Sequence, residues 1–305
     1  MNFADLAPHF ADETKAIELV ERLMWPKGAV CPHCQATERQ YQLKGKATRP
    51  GLRKCGLCRK QYTVKIGTIF EDSKIPLSKW LIVIYMMCSS KKGVSANQIS
   101  RAIGVSYKSA WHLCHRIRTA MTKEPMRGML GKHGGTVELD ETYIGGKRRN
   151  NKHKNRTAAA GKKIAVMTLI ERGGDVATIR LPDTRKSTLQ TIARPIVDRS
   201  ANIVTDSHPG YRGMDQHFAS HETVDHSKEF VRGLIYHTNF AESYHALLKR
   251  SIIGTHHHIS EKHMPKYLRE REFMWNARKA TDGERLVSAI KGAKGKRLMY
   301  QAPKS

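Results

Sequence analysis

The clearest indication of the fold of this 305-residue chain is the stretch Val137-Glu-Leu-Asp140-Glu-Thr-Tyr-Ile144, which is followed by Gly145-Gly146. Its apolar residues favour a β-strand, and strict alternation places Leu139 and Asp140 on opposite faces. If the strand is buried, a carboxylate there is costly unless it is paired, hydrogen-bonded or bound to a metal. An edge strand with a solvated acidic side explains this stretch alone equally well.

The composition indicates a folded protein with a polyanionic partner. The chain has 54 Lys and Arg against 27 Asp and Glu, a net charge of +27, and 39% hydrophobic residues. Such a charge favours nucleic acid, although a ribosomal or chromatin-type structural role would fit it equally. The length predicts two or three folded units.

The apolar segments predict no membrane span. The best candidate, residues 80–88, is nine residues long and is interpreted as a buried helix. The N-terminus carries early acidic residues and lacks the pattern of a signal peptide. We therefore expect a cytoplasmic protein, in which disulfides are rare.

Four of the six cysteines have the spacing of a zinc ribbon. Cys31-Pro-His-Cys34 and Cys55-Gly-Leu-Cys58 are two Cys-x-x-Cys pairs separated by twenty residues. Four thiolates at this spacing can hold one tetrahedral zinc ion, and such a closed shell is structural because it leaves no position for substrate.

A helix-turn-helix pattern follows the ribbon. A short helix capped by Ser95 ends at Gly104, and a longer one begins after Ser106. Its N-terminal end presents Tyr107 and Lys108, where base edges are usually contacted. A purely structural helical bundle is the alternative.

A linker is predicted over residues 122–135, before the strand that carries Asp140. A basic loop follows that strand. Residues 147–163 contain eight Lys or Arg and no acid. A solvated loop is the simple explanation, but its position next to Asp140 favours contact with nucleic acid. The candidate DNA-binding residues in the loop are Lys147, Arg148, Arg149, Lys152, Lys154 and Arg156.

The order of elements after residue 135 describes a ribonuclease-H-like fold of mixed α/β class. Strands are predicted over residues 137–144, 163–170 and 176–181, then a helix from Ser187, and a strand over 201–206 that ends in Asp206. In that fold the first and fourth strands are neighbours, so Asp140 and Asp206 should meet.

Two carboxylates brought close together repel each other unless a divalent cation lies between them. Oxygen ligands suit Mg or Mn, and two such ions can activate a nucleophile and stabilise a leaving oxygen. A predicted helix from Asn239 carries Glu242, which could complete the site. Lys249 lies two turns further on the same face, where it could reach a phosphate.

The chain resembles the DDE transposases of bacterial insertion sequences, in the branch with an N-terminal zinc ribbon. The motifs are residues 23–34, residues 137–147, Val204-Thr-Asp206 and residues 237–250, in that order. The resemblance covers roughly residues 10 to 280. It implies metal-dependent cutting of double-stranded DNA at element ends, transfer of the 3′-hydroxyl to target DNA, and a homo-oligomer assembled on DNA.

The third acidic ligand stays open between two residues. Members of this branch with Asn in place of the third acid make Asn239 the alternate to Glu242, and the two lie three residues apart on one helical face. Glu138 is a lesser candidate whose expected role is that of a solvated acid, and Glu141 is set aside. The run His256-His-His258 is expected to be a basic loop facing DNA.

The predicted organisation has four parts. These are an N-terminal helix and ribbon (1–70), a helix-turn-helix-like region (71–122), a catalytic domain (135–282) and a basic tail (283–305). Two other functions remain open: a DNA-binding regulator with a catalytically silent domain, and a nuclease that cuts without joining.

Overall fold

The computed structural model describes residues 2–45, 47–123, 127–145, 163–224 and 237–299. The chain forms two compact units. The first contains the chain up to Thr122 together with the chain from Ala277 onward, and the second runs from Lys123 to Asn276. None of the helices in these described ranges is long and apolar enough to cross a membrane.

The first unit combines a small antiparallel sheet with helices. The strands pair in the order β1-β2-β3. Its elements are α1 (Phe3–Ala11), α2 (Glu13–Met24), β1 (Gln40–Gln42), β2 (Arg53–Cys55), β3 (Gln61–Tyr62), α3 (Leu77–Ser89), α4 (Ala96–Ile103), α5 (Tyr107–Met121) and α9 (Asp282–Lys291).

Helices α4 and α5 are the two helices of the region for which a helix-turn-helix was predicted. The Ser95 side chain accepts a hydrogen bond from the Gln98 amide, and Ser106 accepts one from the Ser109 amide. Each cap satisfies a backbone donor that the first turn of a helix leaves without a partner. Gly104 has φ of +65°, a left-handed conformation that ends α4 and that glycine adopts without steric cost.

Helix α9 occupies part of the segment that was predicted to be a basic tail. Thr281 and Glu284 form a reciprocal capping box, and Leu286, Ala289 and Ile290 are buried. The helix packs against α2, α3 and α5. The prediction weighed the many Lys and Gly residues of this segment and overlooked its apolar spacing of three and four. Residues 282–291 are therefore an integral part of the first unit.

The second unit is built on a five-stranded mixed sheet. Its strands are β4 (Thr136–Ile144), β5 (Ile164–Glu171), β6 (Val176–Arg180), β7 (Asn202–Asp206) and β8 (Ser220–Val224). Their order is β6-β5-β4-β7-β8; β4 pairs antiparallel with β5 and parallel with β7. Strands β5 and β6 are antiparallel, and β7 and β8 are parallel. This mixed sheet has the strand order and directions expected for the ribonuclease-H-like fold.

Helices cover both faces of this sheet. Helix α6 (Lys186–Ile196) packs on the face that bears Val137 and Leu139. Helices α7 (Asn239–Ser251) and α8 (Met264–Asn276) pack on the opposite face, which bears Ile144. Strand β4 is therefore a central strand buried on both sides, and the edge-strand alternative is excluded. Taking the carboxylates of β4 out of water costs free energy, which interactions with neighbouring groups must offset.

Candidate active site and metal centre

The four cysteines of the ribbon come together in the first unit. The Sγ atoms of Cys31 and Cys58 lie 3.6 Å apart, as do those of Cys34 and Cys55. All four lie within 4.8 Å of one another. Tetrahedral bonding to zinc at 2.3 Å places thiolates about 3.8 Å apart, so this donor set fits zinc.

The turn after Cys55 needs a residue without a side chain. A Cβ atom on Gly56 would lie 2.8 Å from the Tyr41 ring and 2.9 Å from Arg39 Cβ. The close approach of β1 to this turn is what brings Cys55 and Cys58 to the other pair. Glycine at this position is therefore part of the metal centre's geometry.

The pKa values of two of the four thiols, Cys34 and Cys55, are shifted in opposite directions. The Cys58 amide is the main cause that lowers the pKa of Cys55, to about 6. The Ala36 amide lowers the pKa of Cys34, but desolvation and the adjacent thiols outweigh it and raise that pKa to about 12. Four neighbouring thiolates repel one another, and a cation among them removes that cost.

In the second unit, Asp140 and Asp206 lie on adjacent parallel strands. Leu139 of β4 is paired with Thr205 of β7, so the two aspartates occupy the next position of each strand. The pKa values of both Glu141 and Tyr211 respond to the charges of both aspartates. Strands β4 and β7 are therefore neighbours, as predicted, and Asp140 and Asp206 share one electrostatic environment.

Different groups hold the two aspartates. His245 of α7 lies with Nδ1 3.4 Å from Asp140 Oδ2, and its Nε2 is 2.9 Å from the Thr168 hydroxyl. Asp206 Oδ1 accepts a hydrogen bond of 3.1 Å from the backbone amide of His208, within the turn that follows β7. The carboxylate of Asp140 is therefore oriented by a helix, and that of Asp206 by its own loop.

Glu141 is a third acid of this environment, although the sequence interpretation set it aside. Its Oε2 accepts a hydrogen bond from the Tyr211 hydroxyl, and its Oε1 lies 3.6 Å from His208 Nδ1. Burial is the main cause that raises the pKa of Glu141; Tyr211 and His208 lower it, and the two aspartates raise it further. The signal was present in the sequence, because alternation put Glu141 on the same face as Val137 and Leu139.

Glu138 is not the solvated acid that the sequence predicted. Its side chain is 0% exposed and pairs with Arg172, whose Nε lies 2.9 Å from Oε1. Its Oε2 accepts hydrogen bonds from the backbone amides of Phe240 and Ala241. The error arose because these partners lie 34 and about 100 residues away, where periodicity gives no information.

Helix α7 carries the remaining candidates at its exposed surface. Asn239, Glu242 and Lys249 are all exposed, while Ala241, Tyr244 and Leu248 face the sheet. The carboxylates of Asp140, Asp206 and Glu242 do not form a tight group like the four cysteines; within the described ranges only the thiols do so. The choice between Asn239 and Glu242 stays a prediction.

Comparison with known proteins agrees with both the cysteine cluster of the first unit and the mixed sheet of the second. Residues 132–276 match the ISXO2-like transposase domain, and residues 11–61 match the transposase zinc-ribbon domain. Both matched segments belong to domain families of insertion-sequence transposases. It is also similar to an uncharacterized protein in transposable element ISH50 of Halobacterium salinarum. The identity is 28% over 274 residues, which cover 85% of this chain and 90% of that protein.

The candidate DNA-binding residues fall into two groups. Tyr107, which is 53% exposed, and Lys108 lie at the exposed start of α5. The loop residues Lys147, Arg148, Arg149, Lys152, Lys154 and Arg156 lie outside the described residues. Both groups remain predictions as DNA contacts.

The histidine run of residues 256–258 lies just beyond the end of α7. His256 is the last residue of the π-helical turn Ile252–His256. Its ring packs against Tyr267, with 4.7 Å between the ring centroids. His257 and His258 are exposed. The three histidines are not part of a metal-binding group in the described portion of the chain.

Proposed function

We propose that this protein is an active insertion-sequence transposase that cuts DNA at the element ends and joins the 3′-hydroxyl to target DNA. The observation that carries the proposal is the placement of Asp140 and Asp206 at adjacent positions of parallel strands, with α7 against the same sheet. A regulator with a silent domain would need no such pair of acids. The net charge of +27 favours DNA as the partner.

The donor set around the aspartates suits a hard divalent cation. Three carboxylates share one environment, and their mutual repulsion helps to raise the pKa of Glu141. Asp140 and Asp206 would hold Mg or Mn, with Glu242 or Asn239 as the third ligand. Such ions, two of them in our proposal, supply activation of the attacking oxygen and stabilisation of the leaving oxygen.

The protein's own groups orient the site and the DNA. His245 holds the Asp140 carboxylate against β4, and the backbone amide of His208 holds that of Asp206. Lys249, two turns beyond Glu242 on the exposed side of α7, is proposed to bind the phosphate next to the cut. Arg and Lys of loop 147–156 are proposed to contact the DNA backbone.

The first unit is proposed to bind the element ends. Tyr107 and Lys108 would enter the major groove at the start of α5, as in helix-turn-helix proteins. One zinc ion held by Cys31, Cys34, Cys55 and Cys58 would be structural, because four thiolates close its shell. We further propose that the protein acts in the cytoplasm and that at least two copies assemble to pair two ends.

The decisive experiment uses labelled duplexes taken from the DNA that flanks the protein's own gene. Wild type, Asp140→Asn and Asp206→Asn are incubated with Mg, Mn or EDTA. We expect metal-dependent nicking and joining by wild type only, with DNA binding retained by all three. Asp175→Asn, an exposed position in the β5–β6 hairpin, is the matched control and should keep full activity.

Each other outcome has a defined meaning. Nicking without joining of a pre-cut end to a second duplex identifies a nuclease. If wild type binds a flanking duplex tightly but neither nicks nor joins it with either metal, the protein is a regulator and the catalytic proposal is wrong. Unchanged cutting by Asp140→Asn would place the chemistry elsewhere.

A further inference from the structure

The carboxylate of Glu138 lies at the junction of the catalytic sheet and α7. It is completely buried, and an unpaired charge there would be strongly destabilising. Its Oε1 lies 2.9 Å from Arg172 Nε and 3.3 Å from His237 Nδ1. Its Oε2 accepts hydrogen bonds of 2.9 Å and 3.1 Å from the amides of Phe240 and Ala241. All of these partners either precede α7, lie in its first turn, or follow β5.

Glu138 takes the place of the helix cap that α7 lacks. The first backbone amides of a helix have no partner within the helix, and the residue before it usually supplies one. Thr238, which precedes α7, makes no such bond with its side chain. A strand residue about 100 positions earlier does so instead, and its negative charge also suits the positive end of the helix dipole.

Arg172 fastens the same end of α7 a second time. It comes directly after β5, and while its Nε binds Glu138, its Nη2 donates a hydrogen bond of 2.8 Å to the His237 carbonyl. The backbone entering α7 is thus held on one side and the first turn on the other. Together Glu138 and Arg172 form a clamp, by which we mean this pair and its bonds to residues 237–241.

The clamp lies beside the proposed metal ligands. Glu138 and Asp140 share one face of β4, about 7 Å apart along the strand. One turn beyond the clamped residue Ala241, His245 meets Asp140 at 3.4 Å. Helix α7 is therefore fixed to β4 at two points, and these points define how far Asn239 and Glu242 lie from Asp140.

We propose that Glu138, together with Arg172, is a positioning residue that sets α7 at the distance from β4 at which its third ligand can serve the ion held by Asp140 and Asp206. The inference rests on the proposed function, and it adds a residue that does not touch the metal or the DNA. Residues that orient metal ligands commonly change metal affinity or activity about 10- to 100-fold when replaced.

The test compares Glu138→Ala and the milder Glu138→Gln with wild type as full-length proteins below their melting temperatures. Glu272→Gln is the matched control, because Glu272 is a buried acid of the same unit that binds Thr178 and Arg269. Backbone hydrogen exchange is measured at residues 240 and 241, and Mn²⁺ affinity is measured calorimetrically without DNA. Single-turnover cutting and DNA affinity are then measured separately.

We expect Glu138→Ala to speed exchange at residues 240 and 241, to weaken Mn²⁺ binding about 10-fold or more, and to slow cutting with unchanged DNA affinity. Glu138→Gln should lie between Ala and wild type, since its amide oxygen can still accept one helix amide. Glu272→Gln should lower the melting temperature without changing the other readouts.

Two results would overturn the inference. One is unchanged exchange at residues 240 and 241 in Glu138→Ala. The other is faster exchange with wild-type Mn²⁺ affinity and cutting, which would make the clamp structural only. If Glu138→Ala does not fold, Glu138→Gln gives the same readouts. A wild type that binds no Mn²⁺ and cuts no DNA refutes the proposed function instead, while the exchange data still report on the clamp.

Discussion

Three acids within four residues of β4 are each stabilised by a different partner. Glu138 binds Arg172 and the start of α7, Asp140 faces His245, and Glu141 accepts a hydrogen bond from Tyr211. A buried carboxylate without a partner would cost several kcal/mol. Single substitutions of the partners therefore have effects that can be assigned to one acid at a time.

Replacing Tyr211 by Phe removes a donor from Glu141. The pKa of Glu141 is already raised, mainly by burial, so the folded protein binds a proton more tightly than the unfolded chain. Stability therefore falls as the pH rises from the usual range of Glu through this raised value. We expect Tyr211→Phe to cost about 1–3 kcal/mol at pH 8 and less at pH 5, where Glu141 is closer to neutral.

Urea denaturation at both pH values, in buffer without Mg or Mn and followed in the second unit alone, measures this difference. Tyr143→Phe removes the hydroxyl of an exposed tyrosine on the same strand and should change stability little at either pH. An equal loss at pH 5 and pH 8 for Tyr211→Phe would contradict the assignment to Glu141.

The third metal ligand is decided by two substitutions on α7. We expect Glu242→Gln to slow single-turnover cutting by roughly 100-fold or more, as loss of a group that stabilises transition-state charge commonly does. Asn239→Ala should have the smaller effect, and both proteins should bind DNA like wild type. The reverse ranking would make Asn239 the ligand.

At the scale of elements, we expect the folding of the zinc ribbon to depend on a bound zinc ion. Its small core includes Cys31, Cys55 and Tyr62, which is too little to fold alone. We expect chelation to release one zinc per chain and to unfold β1–β3, while the five-stranded sheet keeps its structure. Zinc quantification with amide NMR spectra before and after chelation measures both effects.

Zinc binding should also weaken as the pH falls, because protons compete for the thiolates. The pKa of Cys55 is about 6 and that of Cys34 about 12, so as the pH falls the Cys34 thiolate is protonated before that of Cys55. Cys34→Ser should release zinc at a higher pH than wild type, whereas Cys88→Ser, at a buried cysteine outside the cluster, should not. Zinc retention that does not change between pH 8 and pH 5 would contradict a thiolate shell.

Local pattern was sufficient for most elements but not for their long-range contacts. The apolar segment 80–88, interpreted as a buried helix, lies within α3 (Leu77–Ser89), and the strand predicted over 137–144 is Thr136–Ile144. Apolar spacing and caps are local properties, so these ranges could be derived from the sequence. The burial of Glu138 could not, because Arg172 and α7 supply its partners only after the sheet has formed.

The candidate site divides in the same way. The adjacent positions of Asp140 and Asp206 on β4 and β7 could be predicted from the strand order, which is a property of the fold class. Glu141 was overlooked because an acid next to an apolar strand face was not weighed as a buried group. The distance from α7 to β4 depends on side-chain packing, which no spacing in the sequence encodes.

At the scale of the molecule, the chain after Ala277 completes the first unit. Arg285 of α9 donates a hydrogen bond of 2.9 Å to the Cys88 carbonyl at the end of α3, and Leu286 is fully buried. We expect Leu286→Ala to destabilise the first unit by about 2–5 kcal/mol and to leave the second unit unchanged.

Hydrogen exchange followed separately in α3 and β5 distinguishes the two units. Leu189→Ala, at a buried leucine of α6, is the matched control and should destabilise the second unit only. Equal loss in both units for Leu286→Ala would mean that they unfold as one body.

The position of α9 also has a consequence for the timing of synthesis. A ribosome adds about 5–20 residues per second, so the whole second unit is translated, over roughly 10 to 30 s, before α9 is made. During that interval α2, α3 and α5 lack the helix that covers them. A nascent chain therefore completes its first unit, which is proposed to recognise DNA, only after its second unit has been translated. A chain that ends before α9 lacks a complete first unit.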